Sequence, residues 1–160
     1  MSIEVRLANG KGIALIDDDD AVRMPLDGWY LHGCGYAAHS PIAMSDGTTT
    51  TLLHRLIMRP PRGVFVDHIN RHKLDCRRIN LRLATKSQNG QNRSGAQPNN
   101  SLGIRGVSWQ RKPSGTVVFF ARVQVNGKQI YRCGFRSVKE AELAAKDLRR
   151  LHFTHSEECL

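Results

Sequence analysis

Cysteine is sparse and never paired: Cys34, Cys76, Cys133 and Cys159 stand far apart, and no C-x-x-C occurs. That spacing argues against a structural zinc held by cysteine pairs and offers no disulfide framework. Aromatic residues are only 6% of the chain against 40% hydrophobic residues overall, so any core is modest and divided modules are expected. No apolar run is long enough to span a membrane, and Met1-Ser2-Ile3-Glu4-Val5-Arg6 is not the start of a signal peptide. The expectation is a cytoplasmic protein, not secreted. At 160 residues the chain suits one ordinary domain or two small modules.

Acidic residues are also scarce, but only in one part of the chain. Residues 1–53 hold three basic and seven acidic side chains, whereas residues 54–160 hold twenty-one basic and seven acidic. From His54 to Lys139 eighteen basic residues face only Asp67 and Asp75. A charge run is ordinarily a solvated face; one this long and one-signed implies a polyanionic partner. Nucleic acid fits best. A membrane surface is the rival, and no basic amphipathic helix supports it. Nothing in the pattern sets the oligomeric state, and a monomer is the simplest expectation.

Against that background one segment stands out. Asp67-His68 ends the apolar run Gly63-Val64-Phe65-Val66, Asn80 follows thirteen residues after the aspartate, and Asn89 twenty-two after it. A strand delivering Asp67 and His68, a loop through Asn80 and a short helix carrying Asn89 would gather them around one phosphate. Hydrolysing a phosphodiester needs an activated water, charge neutralisation at the phosphate and a stabilised leaving oxygen. Imidazole, with an ordinary pKa of about 6.5, can take a proton from water near neutral pH. A carboxylate and an amide carbonyl are hard oxygen ligands of the kind Mg2+ prefers. Taken singly, Asp67-His68 could be a strand end and Asn80 a loop former. His72 is expected to be solvated and His54 to pack within the motif.

Leu53-His54-Arg55-Leu56, Val66-Asp67-His68-Ile69-Asn70, Asn80-Leu81-Arg82-Leu83 and Ser87-Gln88-Asn89-Gly90-Gln91-Asn92-Arg93 together resemble the HNH endonucleases of phages and mobile introns. The block spans about a quarter of the chain, and four matches in order are far more specific than a lone His–Asn pair. The resemblance implies a ββα-metal finger gripping one divalent cation, Mg2+ or Mn2+. By position it makes His68 the general base, Asp67 and Asn89 the metal ligands, and Asn80 the residue that orients the loop. Asn89 stands where many relatives carry histidine, so the pattern is H-N-N rather than H-N-H. No structural zinc is expected. The implied products carry a 5′-phosphate and a 3′-hydroxyl.

The expected fold class is α+β. Residues 1–53 read as a small antiparallel β region packed on the nuclease, with strands at residues 12–17, 29–32, 36–39 and 48–53. Asp17-Asp18-Asp19-Asp20 could bind a metal, but consecutive like charges are expected to be solvated. The HNH motif covers residues 54–93, and residues 94–102 are a Gly-, Ser-, Asn- and Pro-rich linker. Residues 103–155 then form a module of three strands and a helix. Strands are expected at residues 104–109, 117–125 and 128–133, with Asn126-Gly127 as a hairpin turn. Ser137-Val138-Lys139-Glu140 reads as a capping box opening a helix with Ala141, Ala144, Ala145 and Leu148 on one face.

Ile104-Arg105-Gly106-Val107-Ser108-Trp109, Ala121-Arg122-Val123-Gln124-Val125-Asn126-Gly127-Lys128, Phe135 and the helix from Glu140 to Ala145 resemble the APETALA2-type DNA-binding domain. That resemblance implies double-stranded DNA as the partner, with the sheet laid in the major groove and the helix behind it. By position, Arg105, Ser108, Gln110, Arg122, Gln124, Gln129 and Tyr131 would face DNA, with arginine reading guanine and glutamine reading adenine. Arg132-Cys133-Gly134 interrupts the family pattern ahead of Phe135. The function implied is a metal-dependent DNA endonuclease of homing or nicking type, addressed by its C-terminal module. The alternative is a sequence-specific DNA-binding regulator with an inactive nuclease finger.

Overall fold

The computed structural model describes residues 1–40 and 50–156. Cys159 and the first residues of the strand expected at 48–53 lie outside them. The fold is α+β, with antiparallel sheets and few helices. Its chain divides into two compact units, residues 1–86 and 87–160.

The first unit opens with a hairpin of β1 (Ser2–Arg6) and β2 (Ile13–Asp17), paired from Ser2↔Asp17 to Arg6↔Ile13. A single helical turn, α1 (Asp18–Ala21), follows. β3 (Trp29–Leu31), β4 (Ala37–His39) and β5 (Thr51–Leu52) form a three-stranded sheet in that order. β5 runs straight into α2 (Leu53–Met58), which ends at Arg59 in the left-handed region, with prolines next in line. β6 (Phe65–His68) and β7 (Leu81–Ala84) make the last sheet, joined through a 3-10 turn at Arg78–Asn80. One core serves all of these elements: Val5, Ile16, Trp29, Leu53, Ile57, Val66 and Leu81 pack together. The segment bearing Asp67, His68 and Asn80 therefore shares its hydrophobic core with the N-terminal strands. Alternation accounts for the hairpin's part, since Val5, Ala14 and Ile16 turn inward while Glu4 and Ile13 face solvent.

The acidic run departs from expectation. Asp20 is 2% exposed and accepts two hydrogen bonds from the Arg78 guanidinium, at 2.8 and 2.6 Å. Asp17 accepts from the Arg78 backbone N–H at 2.7 Å. A basic partner distant in sequence turns two of the four carboxylates into structural groups, and sequence alone does not reveal that pairing.

The second unit begins inside α3 (Lys86–Gln91). The reason for that early break is Gln91: its backbone carbonyl accepts from Arg105, and its side-chain oxygen accepts from the Thr154 and His155 amides. The end of the expected linker is also structural rather than a free spacer. Leu102 packs on the second core, and Asn100 donates to the carbonyls of Ile104 and Val107, both at 2.9 Å.

Those same bonds shorten the first strand. β8 runs Val107–Arg111 rather than from residue 104, because Asn100 folds residues 104–106 into a turn that Gly106 permits at φ 77°. β9 (Val117–Val125) and β10 (Lys128–Phe135) follow, with Asn126 and Gly127 both at positive φ in the two-residue turn. Sheet order is β10-β9-β8. The register of β10 holds to Cys133↔Phe120 and then shifts, so that Phe135 lies opposite Phe119. Gly134 forms the bulge at φ 93°. The interruption Arg132-Cys133-Gly134 is thus accommodated without losing Phe135 from the core.

α4 (Val138–His152) packs Ala141, Ala144, Ala145 and Leu148 onto Val107, Ala121 and Val123. Ser137 Oγ accepts from the Glu140 N–H at 3.2 Å, and Glu140 reaches back to the Arg136 N–H rather than to that of Ser137. Alanines on this face let the helix approach the sheet closely. An ideal Cβ on Gly106 would lie 2.8 Å from the Arg122 carbonyl oxygen. Gly106→Ala combines that clash with a positive φ and should destabilise the second unit by about 1–3 kcal/mol, read as a lower melting temperature. An unchanged melt would show that the turn relaxes freely.

Candidate active site

Asp67 and His68 end β6, and register decides their surroundings. Asp67 lies directly opposite Arg82 on β7, and His68 opposite Leu81. Directly opposed residues share a face of the sheet, so the guanidinium meets the carboxylate. Arg82 Nε and Nη2 each lie 2.8 Å from Asp67 Oδ2. Asp67 is 6% exposed, and a buried carboxylate needs such a charged partner.

His68 is 4% exposed and sits in an aromatic enclosure. Its ring centroid is 5.0 Å from that of His54 on α2 and 5.7 Å from that of Tyr36, the residue that leads into β4. Tyr36 and His54 are themselves 4.7 Å apart. His68 Nε2 lies 3.9 Å from Cys76 Sγ. Burial pushes the Cys76 thiol up to about 12, with Asp75 adding to the shift, so sulfur is present as the neutral thiol. His54 Nδ1 is buried with no hydrogen-bond partner among the described residues.

The loop between the two strands closes on Asn80. Its Oδ1 accepts from the Asn70 N–H at 2.9 Å, its Nδ2 donates to the Asp75 carbonyl at 2.7 Å, and its own carbonyl accepts from the Ile69 N–H at 2.8 Å. Asp75 in turn holds Arg77 at 2.7 Å through both oxygens and takes a bond from Asn70 Nδ2. These contacts, the Arg77 hydrogen bonds first, keep the Asp75 carboxyl below its ordinary range. Asn80 is thus an intraloop bridge at the base of the strand that carries His68. His72 is exposed, as expected, while Asn89 is exposed on α3 as the third residue of the second unit.

A hard divalent cation suits part of this donor set. Asp67 supplies a carboxylate, and the described residues contain no group of three or more His, Cys, Asp or Glu able to hold a metal. Such a cation would rely on few protein ligands, with water and phosphate oxygens completing its shell, which is the habit of Mg2+.

On the second unit, register sorts the residues expected to face DNA. Ser108, Gln110, Arg122, Gln124, Gln129 and Tyr131 share the side of the sheet opposite α4, since Ser108 opposes Phe120, Tyr131 opposes Arg122 and Gln129 opposes Gln124. Arg105 does not join them. It donates to the carbonyls of Gln91 and Arg93 and lies over the Phe153 ring, at 5.6 Å. Its place in the turn before β8, rather than in the strand, takes it out of the alternation.

Tyr36, Asp75, Cys76 and Arg82 were not legible as site residues in the sequence. Arg82 had a signal, standing two residues after Asn80 in Asn80-Leu81-Arg82-Leu83, but its role needs the β6–β7 register. Tyr36 lies too far from the motif in sequence to be linked to it.

Comparison with known proteins agrees with the motif. A family model described as HNH endonuclease matches residues 52–91. A protein of Acanthamoeba polyphaga mimivirus, described as an uncharacterized HNH endonuclease, is 35% identical over 109 residues, or 64% of this chain and 54% of the relative. The chain thus spans about half the length of that relative. No solved structure gives a significant match. Over residues 52–91, a quarter of the chain, the similarity is to HNH endonucleases. No helix among the described residues is long and apolar enough to cross a membrane.

Burial holds both site histidines neutral. The His68 pKa is lowered to about 4, the Asp67 and Asp75 carboxylates opposing that shift, and the His54 pKa to about 3, with His68 and Arg55 adding to burial. Both fall below the unfolded value of about 6.5, so the unfolded chain binds more protons in acid. Their stabilising contribution is fully present above about pH 6.5 and is lost as pH falls towards 4. Melting temperature measured from pH 7.5 downwards should decline across that window, and His54→Phe should flatten the decline. A flat parental profile would contradict the burial of neutral imidazoles.

Proposed function

We propose that this protein is a metal-dependent DNA endonuclease of homing or nicking type, with its sheet–helix module as the DNA reader. The observation that carries the reading is the buried Asp67–His68 pair at a strand end tied to Asn80, inside the stretch that matches HNH endonucleases. His68, neutral at pH 7, takes a proton from the attacking water. Asn80 keeps the strand end and loop in register, and Arg82 fixes the orientation of the Asp67 carboxylate. Asp67 would be a ligand of one divalent cation, Mg2+ or Mn2+, and the motif pattern makes Asn89 the other. When bound, such an ion supplies charge neutralisation at the scissile phosphate and the leaving oxygen.

The second unit supports the DNA reading in a different way. Its outward sheet face presents Arg122, Gln124, Gln129, Gln110 and Tyr131, side chains able to meet base edges, and this half of the chain is strongly basic. An APETALA2-like docking in the major groove is the arrangement that uses this face. Arg122→Ala should relax sequence preference at one position, costing about 1–3 kcal/mol of discrimination there. A selected site logo identical to the parent's would remove Arg122 from base reading.

The direct test of the chemistry is plasmid cleavage with and without Mg2+ or Mn2+. The parent should cut only with metal, and His68→Ala should lose a factor of about 10²–10⁴ in rate while binding DNA nearly as well. Asp67→Asn should raise the metal concentration needed for half-maximal cutting. A parent that binds DNA but never cuts it would favour a DNA-binding regulator instead.

A further inference from the structure

Residues 1–21 lie outside the stretch that matches the HNH family, yet they are built into its loop. β2 runs alongside residues 74–76: the Leu15 N–H donates to the Leu74 carbonyl, and the Cys76 N–H donates to the Leu15 carbonyl, both at 2.8 Å. Leu15 and Asp75 thereby form a one-residue parallel bridge. Just beyond, Asp17 takes the Arg78 N–H at 2.7 Å, and Asp20 grips the Arg78 guanidinium with both oxygens. Arg78 Nη2 also donates to the Ile57 carbonyl of α2 at 3.2 Å.

Burial makes this contact unequal. The Asp20 side chain is 3% exposed and that of Arg78 50% exposed. A carboxylate so enclosed is tolerated because its partner is bidentate. Arg78 starts the 3-10 turn that ends at Asn80. Two residues before Arg78 stands Cys76, whose sulfur lies against the His68 ring. The stretch from Leu74 to Arg78, whose Asp75 carbonyl receives Asn80, is therefore held from outside the motif.

We propose that Asp20 is a positioning residue for the nuclease site. Acting through Arg78, it anchors the turn from which Asn80 and Cys76 fix the β6 end bearing Asp67 and His68. The inference rests on the nuclease reading above. Site geometry of this kind is sensitive, since a displacement of about 1 Å can cost a factor of about 10² in rate. The N-terminal hairpin is then part of the catalytic scaffold rather than an appendage.

The experiment uses full-length protein in plasmid cleavage with Mg2+, well below the melting temperature. Asp20→Asn keeps the shape and removes the charge. It should lower kcat about tenfold while KM for DNA stays within about twofold. Arg78→Met should match it, and the double variant should be no worse than either single one. Arg78→Lys, which keeps a cation for Asp20, should recover at least about threefold over Arg78→Met. Asp19→Asn, an exposed neighbour, should cut as the parent does.

An Asp20→Asn protein with parental kcat overturns the proposal, as do losses that multiply in the double variant or that equal the fraction unfolded. If Asp20→Asn does not fold, equal kcat for Arg78→Lys and Arg78→Met overturns it instead. A parent inert on every DNA sinks the nuclease reading together with this one, whereas an active parent with an indifferent Asp20 sinks only this one.

Discussion

The structure around the motif depends on closing one loop, the excursion from Ile69 to Asn80 between β6 and β7. A two-stranded sheet cannot hold its ends by ladder bonds alone. Asn80 supplies what the ladder lacks, spending both ends of its amide and its own carbonyl on three backbone groups of the loop. The amide is buried, so each missing bond would leave a polar group unsatisfied, at about 1–3 kcal/mol. Asp75 works beside it, binding Arg77 and Asn70 with its carboxylate while its carbonyl receives Asn80. Asparagine is suited to this place because one side chain both donates and accepts.

Charge is handled differently at Asp67 and Asp20, two of the buried aspartates of the first unit. Asp67 meets Arg82 across a strand pair, a partner set by register. Asp20 meets Arg78 across elements far apart in sequence. Both pairs are asymmetric, with the carboxylate enclosed and the guanidinium more exposed. At Asp20 the half-exposed Arg78 keeps much of its hydration, so the desolvation cost falls mainly on one ion, whereas Arg82, 19% exposed, gives up most of its own water to meet Asp67. The remaining cations of the basic stretch stay largely at the surface, where a polyanion can reach them.

Much of the second unit was legible in its sequence. β9 spans the residues expected, Asn126-Gly127 makes the turn, and α4 buries the predicted alanines. Local rules suffice there, because alternation, a two-residue turn and a cap each act over a few residues. The misses have one cause. Gly106 and Asn100 convert the expected start of β8 into a turn, and Arg105 leaves the outward face with it. A side chain reaching back to distant carbonyls overrode a local β pattern.

For the first unit the division is sharper. Sequence by itself determined the chemistry on offer: Asp67 and His68 at a strand end, Asn80 in a turn, a short helix with Asn89, and a basic chain suited to a polyanion. These follow from residue type and spacing, which local structure translates directly. Tertiary structure decided which groups surround them. Tyr36, His54 and Cys76 enclose His68, and Arg82 answers Asp67. Asp20, which composition marks as a solvated acid, became a buried anchor. Burial and long-range pairing depend on how the chain returns upon itself, and no short window of sequence contains that information.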